Sequence, residues 1–181
     1  DVMARRLHSP MDSFIRLFDG EGKLLASNDD HTPAHNTGML THHCDSYLRH
    51  TLPADGTYTV QILDTFRQVG NHIGYRLRVS EPRPAFTAYV APGGFYLPFG
   101  KAVPMTVYIE RTDGFDENIY ISVDEEFTGF QVSGNPIPPG VDRFQMTVRS
   151  STKEENTVPL KFWAKARIGG KTVKQEAFPA E

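Results

Sequence analysis

One cysteine, Cys44, stands in 181 residues, so no disulfide can form within the chain and the fold must rest on packing and hydrogen bonds. No apolar run approaches the roughly 18 to 20 residues of a membrane-spanning helix, which argues against membrane insertion. Nor is there a basic excess. Nineteen Lys and Arg stand against twenty-two Asp and Glu, a formal net charge of −3, and nucleic acid is not an expected partner because phosphate backbones demand a concentrated positive field. No segment sustains an i, i+3, i+4, i+7 apolar stripe with caps, so any helix is expected to be a short turn. The chain opens at Asp1 without an initiator Met or a leader of signal-peptide type, and it reads as a piece of a larger protein.

What is present is turn chemistry and alternation. With 39% hydrophobic residues, Gly 15 and Pro 13, the composition is that of a folded, turn-rich protein rather than a disordered tail. Tyr58, Val60 and Ile62 alternate with Thr57, Thr59 and Gln61, the period-2 pattern of a half-buried strand. The same pattern sets Tyr75, Leu77 and Val79 against Arg76 and Arg78, and Val103, Met105, Val107 and Ile109 against Thr106, Tyr108 and Glu110. Ile119, Ile121 and Val123 form another set, as do Phe144, Met146 and Val148. Leu160, Phe162, Ala164 and Ala166 then face away from Lys161, Trp163, Lys165 and Arg167. Asp19-Gly20-Glu21-Gly22 and Ala54-Asp55-Gly56 fall between such runs and supply residues that tolerate positive φ.

Ser80-Glu81-Pro82-Arg83-Pro84 interrupts the strands, since two prolines remove backbone donors and bias their predecessors to extended conformations. The expected organisation is therefore two all-β sandwiches in series, residues 1–82 and residues 83–181. The second half offers about seven or eight short strands spaced as in an immunoglobulin-type sandwich, without the Cys…Trp…Cys pattern of antibody domains.

Several pieces of the first half come in a characteristic order: Ser13-Phe14-Ile15-Arg16-Leu17-Phe18-Asp19, then Asn28-Asp29-Asp30, Asp45-Ser46-Tyr47-Leu48, Ala54-Asp55-Gly56-Thr57-Tyr58 and Gly74-Tyr75-Arg76-Leu77. Over about residues 1 to 80 this order resembles the bacterial pre-peptidase C-terminal domain family. The resemblance implies a jelly-roll-like sandwich that serves as a non-catalytic accessory module of secreted or cell-surface bacterial proteins, often beside a peptidase. Relatives in collagenases bind calcium and collagen. Members of the family carry further N-terminal strands, so the resemblance implies a first module lacking them, and the family's calcium ligands, which lie largely in that segment, cannot be carried over. The second half resembles the immunoglobulin-like domain that follows this unit in planctomycete-type surface proteins, through Arg111-Thr112-Asp113-Gly114-Phe115 and Ile137-Pro138-Pro139-Gly140.

Potential metal ligands concentrate in one stretch: Asp29, Asp30, His31, His35, His42, His43, Cys44 and Asp45. Zinc would need three or four of these groups converging at about 2.0 to 2.3 Å. His31 and His35 have the i, i+4 separation of a helical zinc pair, but Pro33 breaks the helix and Thr32 stands where a metalloprotease has its Glu. His42 and His43 are neighbours, which point to opposite faces in a strand. A metal-dependent hydrolase on this loop is thus a weaker alternative, and Cys44 beside His43 has no orienting third group to make it a nucleophile. Calcium suits Asp29, Asp30 and Asp45 better, as hard oxygen donors that loop carbonyls could complete. Aspartates at strand ends also commonly accept backbone N–H bonds with no metal. Trp163, on the polar face of its strand, is a candidate for binding a sugar or a protein partner, set against packing on the other module or coverage of its indole by neighbouring Lys and Arg stems. The expectation is an extracellular binding or spacer segment, with other domains of the parent protein and an extracellular protein or polysaccharide as partners.

Overall fold

A computed structural model describes residues 1–31, 45–153 and 158–180. Nearly all its regular structure is strand, and the only helix among the described residues is a single 3-10 turn, Arg5–Leu7. Two compact units result, Asp1–Pro82 and Arg83–Glu181. The division falls within the proline-punctuated stretch, where ring nitrogens offer no N–H to extend a ladder.

The first unit contains β1 (Val2–Met3), β2 (Ser13–Phe18), β3 (Leu24–Asn28), β4 (Thr59–Asp64) and β5 (Arg76–Leu77). A three-stranded antiparallel sheet has the order β3-β2-β4, and β1 pairs with β5 in a second, two-stranded one. A complete jelly roll has about eight strands. In β2 the buried Ser13, Ile15 and Leu17 alternate with half-buried Phe14, Arg16 and Phe18, as the period of a pleated strand requires. The turn into β3 is built by Asp19, whose Oδ1 accepts the N–H groups of Glu21 (3.0 Å) and Lys23 (2.9 Å), with Gly22 at φ +82°. Val2, Ala4, Met11 and Ile15 form the small apolar core, with Leu48, Ile62 and Ile73 packed on it. The expected inward face of Tyr75, Leu77 and Val79 is not there: these side chains are exposed, because only Arg76–Leu77 joins a ladder and its partner β1 is equally short.

The second unit contains β6 (Ala85–Ala91), β7 (Ala102–Thr112), β8 (Ile119–Val123), β9 (Phe130–Ser133), β10 (Arg143–Ser150), β11 (Phe162–Ile168) and β12 (Lys171–Pro179). Their order is β8-β11-β12-β6-β7-β10-β9, antiparallel throughout except between β12 and β6. β12 pairs with β11 from Lys171 to Ala177 and only then with β6, through Phe178 opposite Tyr89 and Pro179 opposite Val90. It thereby joins a β8-β11-β12 sheet to a β6-β7-β10-β9 sheet. Lettered A to G in chain order, these are the CFG and ABED sheets of a constant-type immunoglobulin sandwich. Val107, Met146 and Val148 from one sheet share a single buried cluster with Ile121, Phe162 and Ala164 from the other.

The two sequence pieces noted in this half meet in space. Arg111 donates through Nη2 to the Pro138 carbonyl (2.9 Å) and through Nη1 to that of Glu117 (2.9 Å), while its guanidinium lies 5.2 Å from the Phe115 ring centre. Ile137 and Ile119 exchange backbone hydrogen bonds beside it.

Candidate functional site

Because β2 runs antiparallel to both β3 and β4, the residue that enters β2 and the residues that leave β3 and β4 collect at one end of the sheet. In this sequence those residues are Asp12, then Asp29 and Asp30, then Asp64. Carboxylate oxygens of Asp12, Asp29 and Asp30 lie within 4.8 Å of one another. Asp64 braces the group from below: its Oδ1 accepts the Asp12 N–H (2.8 Å) and its Oδ2 that of Gln68 (2.7 Å). Asp29 Oδ1 accepts the Thr65 hydroxyl (3.1 Å).

Asp29 and Asp30 are exposed, whereas Asp12 Oδ1 is buried with no hydrogen-bond partner. Burial raises the Asp12 pKa above its ordinary value; Asp30, Asp29 and Asp64 add repulsion, and Arg5 opposes them. A cation among these oxygens would supply the missing partner for Asp12 and relieve the repulsion at once. The donors are all hard oxygens, which suits calcium better than zinc.

Asp45, which the sequence grouped with Asp29 and Asp30, does not join the set. It is fully buried, and its Oδ1 accepts the N–H groups of Ala4 (2.9 Å) and Arg5 (2.7 Å). Its Oδ2 accepts the Arg6 N–H (3.2 Å) and Arg6 Nε (2.9 Å). Burial pushes this carboxyl up, but the Arg6 side chain and the three backbone donors outweigh it, and the net shift is downward. Next to it the Ser46 N–H donates to Ser13 Oγ (2.8 Å), and the two hydroxyls share a further bond (3.0 Å). Asp45-Ser46 is thus a staple that ties the N-terminal turn to β2.

His31 donates its backbone N–H to the Asp45 carbonyl (3.1 Å), and its ring lies 4.9 Å from that of Tyr47. His35, His42, His43 and Cys44, the rest of the expected metal loop, lie outside the described residues. Other quoted pieces of the first half have local structural jobs. Asn28 Oδ1 accepts the Tyr47 N–H (2.9 Å), and the Tyr58 hydroxyl donates to the Ala54 carbonyl (2.7 Å).

Trp163 is half-buried, in register with Ser122 of β8 and Glu176 of β12. Its Nε1 donates to Asp124 Oδ2 (2.5 Å), and Lys174 Nζ sits 4.2 Å from the ring centre. The Glu126 N–H and then the indole lower the pKa of Asp124. The stem that covers the indole comes from β12 across the sheet rather than from Lys161 or Lys165 beside it in sequence. One ring face is therefore occupied by a cation, which weakens the case for Trp163 as a platform for a sugar.

Among the described residues no helix is long and apolar enough to cross a membrane. Comparison with protein-family models finds no match for this chain, and comparison with curated proteins finds none either.

Proposed function

We propose that the chain is a non-catalytic binding segment of a larger secreted or cell-surface bacterial protein, in which two small β units present loops to a partner. The observation that carries this reading is how two of the described carboxylates are used: Asp45 is consumed by four N–H donors and Asp124 accepts from the Trp163 indole. The resemblance of the first half to pre-peptidase C-terminal domains supports an accessory role, beside a peptidase or another catalytic domain. Peptidase, esterase and glycosidase assays on the whole chain are expected to show no turnover. Turnover that disappears in His42→Ala or Cys44→Ala would overturn the proposal in favour of chemistry on the histidine loop.

A second reading, calcium-dependent binding of a protein or polysaccharide, is favoured by the orphaned Asp12 oxygen beside Asp29 and Asp30. Calcium is then expected to raise Tm, by about 2.7 kcal/mol of stability at a hundredfold excess over Kd. The rise should vanish in Asp29→Asn/Asp30→Asn. Calorimetry that detects no heat with calcium, together with an unmoved Tm, removes this reading.

A further inference from the structure

The two sheets of the second sandwich turn different surfaces outward. On β8-β11-β12 the outward positions carry charge: Lys165 pairs in register with Lys174, and Trp163 with Glu176. On the other sheet aromatic side chains line up instead. Phe178 of β12 lies opposite Tyr89 of β6, Tyr89 opposite Tyr108 of β7, and Tyr108 opposite Arg143 of β10, so one row crosses four neighbouring strands. The Phe178 and Tyr89 ring centres are 6.3 Å apart, and the Arg143 guanidinium carbon lies 5.9 Å from the Tyr108 ring centre. Tyr89 is followed by buried Val90, and Tyr108 stands between buried Val107 and Ile109, so the row faces away from the core. Phe178 is 51% exposed, and Arg143 and Gln145 at the other side of the row are exposed as well.

Around the row the face is small and mostly uncharged: at the outward positions of β6, β7 and β10 only Glu110, Arg143 and Arg149 carry charge. Tyrosine and arginine with few other charges compose the centre of protein interfaces. A sheet face has no concavity to enclose a small molecule, and what fits it is another surface. With β9 at its edge the face is about 24 Å across and about as long, which before the relief of the side chains is counted comes close to the roughly 800 Å² per partner of a stable interface. The charges say which surface. Arg143 lies one strand from Tyr108, about 4.8 Å, and Glu110 two residues along β7, about 6.8 Å, so Tyr108 stands beside the line midway between them. A two-fold axis along that line exchanges the two positions. It sets each Arg143 against the partner's Glu110 and Tyr108 against the partner's Tyr108, so a single operation forms both ion pairs and the face is its own complement.

We propose that the chain pairs with a second copy of itself through this face, with Tyr108 at the two-fold axis, Tyr89 and Phe178 extending the contact, and Arg143 joined to the partner's Glu110. The binding segment then acts in pairs, a step beyond the reading above, which stands whether or not the chain associates. The test is sedimentation velocity of the whole chain over a range of concentrations, on the parent, on Arg143→Glu, on Glu110→Arg, on Tyr108→Ala/Phe178→Ala and, as control, on Tyr120→Ala. Tyr120 is an exposed aromatic on β8, in the opposite sheet. The parent is expected to dimerise in the micromolar range or tighter. Either charge reversal sets like charges against each other and should leave monomer, and the aromatic variant should dimerise tenfold or more weakly, while the control matches the parent. Mixing Arg143→Glu with Glu110→Arg restores two opposite-charge pairs, and the mixture should form a heterodimer although neither variant pairs alone. That rescue also shows both variants to be folded. A parent that stays monomeric at millimolar concentration, charge reversals that dimerise like the parent, or a mixture that stays monomeric overturns the proposal. A monomeric chain that binds a polysaccharide through Tyr108 gives the face another occupant and overturns it too.

Discussion

In the second unit the interior is mostly hydrocarbon: Val107, Ile119, Ile121, Ile137 and Val148 are buried in one cluster shared by two sheets, with Ser150 and Asp113 the buried polar side chains among the described residues. In the first, Asp45, Ser13 and Ser46 are as fully buried as Val2. The difference follows from strand length. Strands of seven to eleven residues such as β6 and β7 give enough alternating positions to fill a sandwich, whereas β1 and β5 have two residues each. A small unit with little apolar area to bury gains rigidity from a saturated polar network instead, and such a network tolerates no missing member.

The largest expected effect is therefore at Asp45. Asp45→Ala leaves buried N–H groups and Arg6 without their acceptor and should cost about 3–5 kcal/mol, confined to the first unit. Amide exchange at Ala4, Arg5 and Arg6 should accelerate. Fluorescence of Trp163, the only tryptophan and a reporter of the second unit, should keep its denaturation midpoint. A shift of both by equal amounts would break the distinction between the units.

Acid should act like a milder version of that substitution. The folded pKa of Asp45 lies below its ordinary 3.8, so the unfolded chain binds the proton more readily; the stabilisation is complete above that value and is lost as pH falls through the lowered one. In a titration downward from neutral pH the first unit should melt before the Trp163 signal changes. The reverse order would contradict the comparison.

Ile121→Ala should remove about 2–5 kcal/mol from the second unit alone, through transfer and cavity terms that carry no pH dependence. The smallest effect belongs to Asp12→Asn. Asp12 has a raised folded pKa, so its charge destabilises the unit at neutral pH and the penalty fades as pH falls toward the ordinary carboxylate value. The variant should be more stable at neutral pH by under about 1 kcal/mol, and equal to the parent in acid. Greater stability that persists in acid would show that charge is not its cause.

Legibility in the sequence followed burial on one face. Met105, Val107 and Ile109, like Phe162, Ala164 and Ala166, announce themselves because each strand has one dry side and one wet side. β12 does not, since Lys171-Thr172-Val173-Lys174-Gln175-Glu176 is polar on both faces and only Ala177 is buried. The signal that could have located it is Gly169-Gly170, with φ of +56° and +81°, the two left-handed residues that a tight hairpin needs between Ile168 and Lys171. In the candidate metal site the sequence brought Asp29 and Asp30 together because they are neighbours. Asp12 joins them only through strand pairing, and Asp45 leaves them for N–H groups about forty residues away in the chain, a partner that no local pattern names.

The parallel pair that closes the second sandwich also sets how the unit would carry a pull. β6 opens the unit and β12 closes it, and the two run in the same direction where Phe178 and Pro179 lie beside Tyr89 and Val90. The Ala180 N–H adds a bond to the Val90 carbonyl (3.0 Å). Tension along the polypeptide draws the start of β6 and the end of β12 apart along their shared axis, so these bonds are sheared together instead of being unzipped one by one. A link of that kind suits a strut under load, whose lifetime is set by its unfolding rate.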